Sequence, residues 1–339
     1  MLLKPDLNDE KIVACLREAY GLDVEKISFL PIGADFNTAV YRVTEANGKD
    51  YFLKLRSGVF LEASVSVPKY LADLGIKQVI APILTKLGQL YSGLEFFKTI
   101  LYPYVDGNNG VEAKPSEDQW AQFGATIQKL HSVDIRSSIT QNVPRETFSS
   151  HWRDTVTAFL GRLDHDVFTE PVAVKMALFL KSKSQAILDL VQRAESLAMT
   201  IQKQPLDYVL CHADIHGWNL LVDTQAAFYI VDWDTLIFAP KERDLMFIGA
   251  DIWDSGLTAA EEESRFYKGY GQAEIDHDLL TYYRFERIIQ DIGDYCEYIF
   301  LSDAGGDDRL QCLEHLQRVF LPNGAIERAY QADTTRKVL

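Results

Sequence analysis

Cysteine is scarce in this chain: Cys15, Cys211, Cys296 and Cys312 are the only four among 339 residues, and none stand at metal-ligand spacing. Zinc and a disulfide framework are therefore not expected, and the thiols suit a reducing, cytoplasmic compartment. No apolar run approaches the ~20 residues needed to span a bilayer. The opening Met1-Leu2-Leu3-Lys4-Pro5-Asp6 lacks the apolar core of a secretory signal. Basic residues are in deficit, 34 Lys+Arg against 49 Asp+Glu, for a net charge of −15. That balance argues against nucleic acid or an anionic membrane as partner and suits a cationic small molecule. Low-complexity tracts, a fixed-period repeat and a G-x-G-x-x-G run are also missing. Apolar residues are not: at 47% of the composition they are ample for burial, and the length calls for two domains.

Chemistry concentrates in one stretch, Cys211-His212-Ala213-Asp214-Ile215-His216-Gly217-Trp218-Asn219, followed by Tyr229-Ile230-Val231-Asp232-Trp233-Asp234. Leu220-Leu221-Val222 and Phe228-Tyr229-Ile230-Val231 read as short strands joined through Asp223-Thr224-Gln225, a hairpin that returns Asp232 beside Asn219. Asp214 is equipped to accept the proton of an attacking hydroxyl. Asn219 and Asp232 offer the hard oxygens that Mg²⁺ prefers. Phosphoryl transfer needs these parts, because its catalysis is mostly positioning and charge stabilisation.

The N-terminal third is strand-rich. Asn8 caps a predicted helix carrying Ile12, Val13, Leu16 and Ala19 and ended by Gly21. Predicted strands follow at Ile27 to Ile32, Ala39 to Val43 and Tyr51 to Leu55, with Asn47-Gly48 as a tight turn. Gly33 opens a turn between the first two, able to lay backbone N–H groups over phosphates or to serve as a plain hairpin glycine. Lys54 is the lone charge within Tyr51-Phe52-Leu53-Lys54-Leu55, and alternation sets it on the same face as Phe52. Downstream, Thr99 to Val105 is an apolar strand interrupted by Pro103 and stopped at Asp106-Gly107, a hinge pattern. The remainder reads as helical, including Phe60 to Leu74, a helix around Trp120 to Leu130, and long patterns at 151–163, 172–201, 243–254, 261–270, 279–301 and 310–321.

In order, spacing and strand context, the central stretch resembles the aminoglycoside phosphotransferase and choline kinase branch of the protein-kinase-like fold. Its signature is a histidine-x-aspartate-x4-asparagine loop followed by an aspartate, here His212, Asp214, Asn219 and Asp232. The resemblance implies an α+β, two-lobed fold: a nucleotide-covering lobe over 1–102, a hinge at 103–108, and a catalytic and substrate-binding lobe over 109–339 with a helical insertion at 148–203. It further implies ATP as co-substrate and Mg²⁺ as cofactor, held by Asn219 and Asp232, with Asp214 as catalytic base. Lys54 would grip the α- and β-phosphates and pair with a glutamate of the next helix, for which Glu62 is the nearest candidate. The family glutamate commonly falls slightly later, where this chain has Ser64 and then Pro68. Adenine would bond to the Val105 N–H and the Pro103 carbonyl; proline has no N–H, and only its carbonyl is needed. His212 and His216 are expected to shape the loop, with His216 also able to approach phosphate. Asp234 is expected to form structural hydrogen bonds or to make a second metal contact, and Asp244 to cap a helix or anchor catalytic-loop N–H groups.

Eleven residues separate Asp232 from Asp244, Trp233-Asp234 replaces the phenylalanine-glycine of protein kinases, and no Ala-Pro-Glu marker follows. That leaves little length for a peptide-docking loop, so a small hydroxylated acceptor is expected. Acids and aromatics at Asp251, Trp253 and Asp254, and at Asp291, Asp294 and Tyr295, are candidate contacts for a cation or sugar ring. Each is also readable as a solvated helix face. Likeness over nearly the whole chain points, within the family, to enzymes acting on the aminocyclitol spectinomycin, hence to antibiotic resistance. Kinases of choline, homoserine or methylthioribose are the alternative, and a non-catalytic nucleotide-binding pseudokinase the distant one. A monomer is expected.

Overall fold

The computed structural model describes residues 4–33, 37–134, 142–250, 255–302, 306–322 and 324–334. The fold is the expected mixture of a small antiparallel sheet and a larger helical part. By its internal contacts the chain divides into two compact units, Met1–Val143 with Asp214–Leu236, and Pro144–Ala213 with Ile237–Leu339. The first unit runs past the boundary at 102 expected from the sequence and takes in both residues 103–143 and the hairpin segment 214–236.

The first unit begins with helix α1, Asp9–Tyr20, where Asn8 accepts from the Glu10 N–H and Gly21 closes the helix at φ +78°. Five strands follow: β1 Val24–Leu30, β2 Thr38–Glu45, β3 Asp50–Arg56, β4 Ser92–Leu94 and β5 Phe97–Pro103, in the antiparallel order β1-β2-β3-β5-β4. The Asn47-Gly48 turn forms as predicted, with Gly48 at φ +81° and its N–H on the Glu45 carbonyl. Alternation along β3 buries Tyr51, Leu53 and Leu55 against Ile12 and Leu16, and gives the opposite face to Phe52, Lys54 and Arg56. Helix α2, Ala63–Asp73, carries Pro68 inside it and buries Ala63, Ser64, Val65, Val67 and Leu71.

After β5 come β6, Gly107–Asn109, the short helix α3, Gly110–Ala113, and α4, Glu117–His131, which opens with a Ser116–Gln119 capping box. At Gly107 a Cβ would lie 2.1 Å from the Val222 carbonyl oxygen, so only glycine fits this strand crossing. In chain order β7, Val209–Cys211, precedes the hairpin formed by β8, Leu220–Asp223, and β9, Phe228–Ile230. The hairpin register is Leu220↔Ile230, Leu221↔Tyr229 and Val222↔Phe228, with β6 on its other edge. Phe123 of α4 meets Phe228 edge-on, fixing helix to hairpin.

The second unit is mainly helical: α5 His151–Arg162, α6 Pro171–Ile201, α7 Glu242–Leu245, α8 Ala259–Tyr270, α9 His277–Leu301, α10 Asp307–Val319 and α11 Ala325–Thr334. Strand β10, Ile237–Ala239, pairs antiparallel with β7. Helices α5, α6, α10 and α11 all pack on α9. Buried Arg153 joins three of them, bonding Glu195 of α6 at 2.6 Å and both Glu286 and Tyr282 of α9. The helix predicted over 243–254 stops at Leu245. Arg284 captures the Met246 and Ile248 carbonyls at 3.1 and 2.8 Å, and Gly249 turns to φ +72° with its N–H on Glu262. Helix α11 was not anticipated. No helix among the described residues is long and apolar enough to cross a membrane.

Candidate catalytic and nucleotide site

The hairpin sets the site. Its register returns the chain so that the Val231 N–H bonds the Asn219 carbonyl at 3.0 Å, placing Asp232 next to Asn219 as the sequence predicts. Asp232 adopts φ 64°, ψ 73°, a left-handed conformation that costs a residue bearing a Cβ. The turn Trp233–Thr235 that follows is held by the Trp233 indole N–H on the Ile230 carbonyl at 3.2 Å.

Asn219 is buried, and its amide nitrogen donates to the Asp214 carbonyl at 2.9 Å and to Asp214 Oδ2 at 3.0 Å. The amide nitrogen is thus committed to the candidate base, and the amide oxygen remains as a hard donor. With the half-exposed Asp232 carboxylate it makes an oxygen pair whose chemistry fits Mg²⁺. His216 does more than shape the loop, since its Nε2 stands 3.3 Å from Asp214 Oδ2. Trp218, between these residues, is 60% exposed.

Within the second unit, the residues leading into this loop are pinned by Asp244, which is fully buried. Its carboxylate accepts from the His212 N–H at 3.0 Å and the Ala213 N–H at 2.6 Å. Ala213 is itself at φ +67°, so these bonds hold a strained backbone. Of the two roles the sequence left open for Asp244, the structure selects the anchor, because Lys241 occupies the cap position of α7. His212 is fully buried, in keeping with packing.

Lys54 is paired differently from expectation. Its Nζ lies 3.0 Å from Asp232 Oδ1 and 2.8 Å from Asp234 Oδ2. Burial works against the ammonium charge, but the two aspartates outweigh it and hold the pKa above the ordinary lysine value. Glu62 instead accepts the Tyr91 hydroxyl at 2.8 Å and occupies the cap position before α2, so the expected Lys54–Glu62 pair is corrected. The sequence bears on this only by exclusion, since α2 holds no acid before Asp73.

Gly33 takes φ +89° with open space where a Cβ would stand; residues 34–36 of its turn lie outside the described residues. Pro103 and Val105 line a 500 Å³ cavity with Val79, Tyr104, Asp106 and Tyr229. Lys54, Asp214, Asn219 and Asp232 do not line it. Among the described residues, the Val105 N–H makes no hydrogen bond within the protein. Asp251, Trp253 and Asp254 lie outside the described residues. Asp291, Asp294 and Tyr295 all lie on α9, and Asp291 is paired with Arg287 at 3.0 Å. Asp294 is exposed by its surface area, yet desolvation by the protein around it raises its carboxyl to about 6, with Asp291 adding to the effect.

Residues 28–284 match the model of the phosphotransferase enzyme family. The crystal structure of spectinomycin phosphotransferase APH(9)-Ia with ADP and spectinomycin superposes with a TM-score of 0.89 at 34% identity, covering 97% of this chain and 99% of that one. The amicoumacin kinase hAmiN shares the fold, with a TM-score of 0.62 at 18% identity over 94% of this chain and 95% of its own. StrN of Streptomyces griseus is 24% identical over 205 residues, 58% of this chain and 62% of StrN. Catalytic loop, hairpin and family match converge, and the chain belongs to the phosphotransferase enzyme family.

Proposed function

We propose that this protein moves the γ-phosphoryl group of ATP to a hydroxyl of spectinomycin, and that its biological effect is resistance to that antibiotic. The observation that carries the reading is the likeness, along nearly the whole chain, to an enzyme held with ADP and spectinomycin. In this reading Asp214 orients the acceptor hydroxyl and takes its proton, while Asn219 and Asp232 hold magnesium. Magnesium, when bound there, would supply charge neutralisation on the phosphates. Lys54 steadies the α- and β-phosphates, with Gly33 as a further ATP contact. The Val105 N–H and Pro103 carbonyl receive adenine; that no acceptor among the described residues takes this N–H supports the role. Because such transition states are loose, Asp214 acts more through orientation than through early deprotonation. Asp251, Trp253, Asp254, Asp291, Asp294 and Tyr295 are the candidate contacts for the dicationic acceptor.

ATP consumption by the purified protein against spectinomycin, other aminoglycosides, choline, homoserine and methylthioribose tests the assignment. Spectinomycin is expected to give the highest kcat/KM, and carrying the gene to raise the inhibitory drug concentration. Turnover with choline and none with spectinomycin would transfer the protein to a metabolite kinase. ATP binding without turnover on any acceptor would leave the pseudokinase reading.

A further inference from the structure

Lys54 is largely buried, and a buried ammonium without a standing counterion is costly. Helix α2 does not provide one. Its Ser64, Val65, Val67 and Pro68 are buried, it holds no acid before Asp73, and Glu62 is engaged by Tyr91. What α2 does instead is pack against the turn Trp233–Thr235. That turn carries Asp234, whose Oδ2 lies 2.8 Å from Lys54 Nζ and 3.5 Å from a guanidinium nitrogen of Arg56. Arg56 is in turn fixed by donating to Thr38 Oγ1 at 2.9 Å.

We infer that Asp234 is the anchor of Lys54, doing from the turn after Asp232 what a helix glutamate would do from α2. Asp232 and Asp234 are not equivalent in this cluster. The Asp232 side chain is 49% exposed, whereas that of Asp234 is 25% exposed and is flanked by two cations. A divalent cation held by Asp232 would compete with Lys54 for that carboxylate, leaving Asp234 to hold the ammonium in place. Asp234 is thus a positioning residue, acting through Lys54 and backed by Arg56. The inference rests on the phosphotransferase reading of Lys54 as a phosphate contact.

Calorimetric titration with ADP, in EDTA and in magnesium, tests it on the wild type, Asp234→Asn and Glu62→Gln. Asp234→Asn is expected to weaken ADP by at least about tenfold in both buffers, as loss of one member of a buried charge pair does. Glu62→Gln is expected to bind as the wild type does. Weakening confined to the magnesium buffer would make Asp234 a metal ligand and overturn the inference, as would normal binding by Asp234→Asn or a comparable loss in Glu62→Gln. If Asp234→Asn does not fold, the Glu62→Gln arm still decides between the two counterions. Failure of the wild type itself to bind ADP would instead sink the phosphotransferase reading.

Discussion

Asp214 is oriented before any substrate arrives, by the Asn219 amide at 3.0 Å and by His216 at 3.3 Å on the same carboxylate oxygen. Asp214→Asn keeps an oxygen for Asn219 and removes only the proton acceptor. Its kcat is therefore expected to fall by about 10²–10⁴, with the KM for ATP little changed, in steady-state assays. Near-normal turnover would refute the assignment. Asp232→Ala removes the carboxylate while Asp234 still holds Lys54, so magnesium-dependent ATP use is expected to vanish; an unaltered magnesium titration would refute that role. The raised pKa of Asp294, about 6, gives a pH signature. Its negative charge is present above that value and lost below it. If Asp294 serves a dication, acceptor KM should climb as pH falls through about 6, and Asp294→Asn should flatten the climb. A KM that is level from pH 5 to 8 in the wild type would remove Asp294 from the acceptor site.

At the scale of elements, the catalytic hairpin and its approach are stabilised by different means. The hairpin relies on strand register and the glycine at 107, whereas the approach through His212 and Ala213 relies on one buried carboxylate. Asp244→Ala leaves two buried N–H groups without their acceptor beside a strained residue. It is expected to cost roughly 2–4 kcal/mol in urea unfolding and to lower kcat more than KM; unchanged stability would show that the anchor is dispensable. Elements of strong period, such as α6 and α9, and the hairpin with its tight turns are legible in the sequence because local pattern and burial agree. The early stop of α7 at Leu245 is not legible. It follows from Arg284, almost forty residues away in the chain, taking the carbonyls that a continuing helix would use.

At the scale of the whole molecule, Lys54, Val105, Asp214, Asn219 and Asp232 all belong to one compact unit, although the hairpin comes from far along the chain. Nucleotide binding should therefore act on that unit. Mg·ADP at about 100 times its Kd is expected to add about 2.7 kcal/mol of stability. Hydrogen exchange should show new protection around residues 54, 105 and 219–232. Protection confined to residues 144–213 and 237–339 would contradict the site.

The candidate site residues could be picked out in the sequence because phosphoryl transfer would demand particular side chains at short, fixed separations, and the loop and hairpin are local structures. His212, Asp214, Asn219 and Asp232 span only 21 positions, and the strands between them dictate their approach. The partner of Lys54 could not be read in the same way. Ion pairing is set by which carboxylate arrives within about 3 Å, and that depends on how α2 packs against the turn after Asp232. Proximity in sequence favoured Glu62, but tertiary packing gave that carboxylate to Tyr91 and brought Asp234, 180 residues distant, to the lysine.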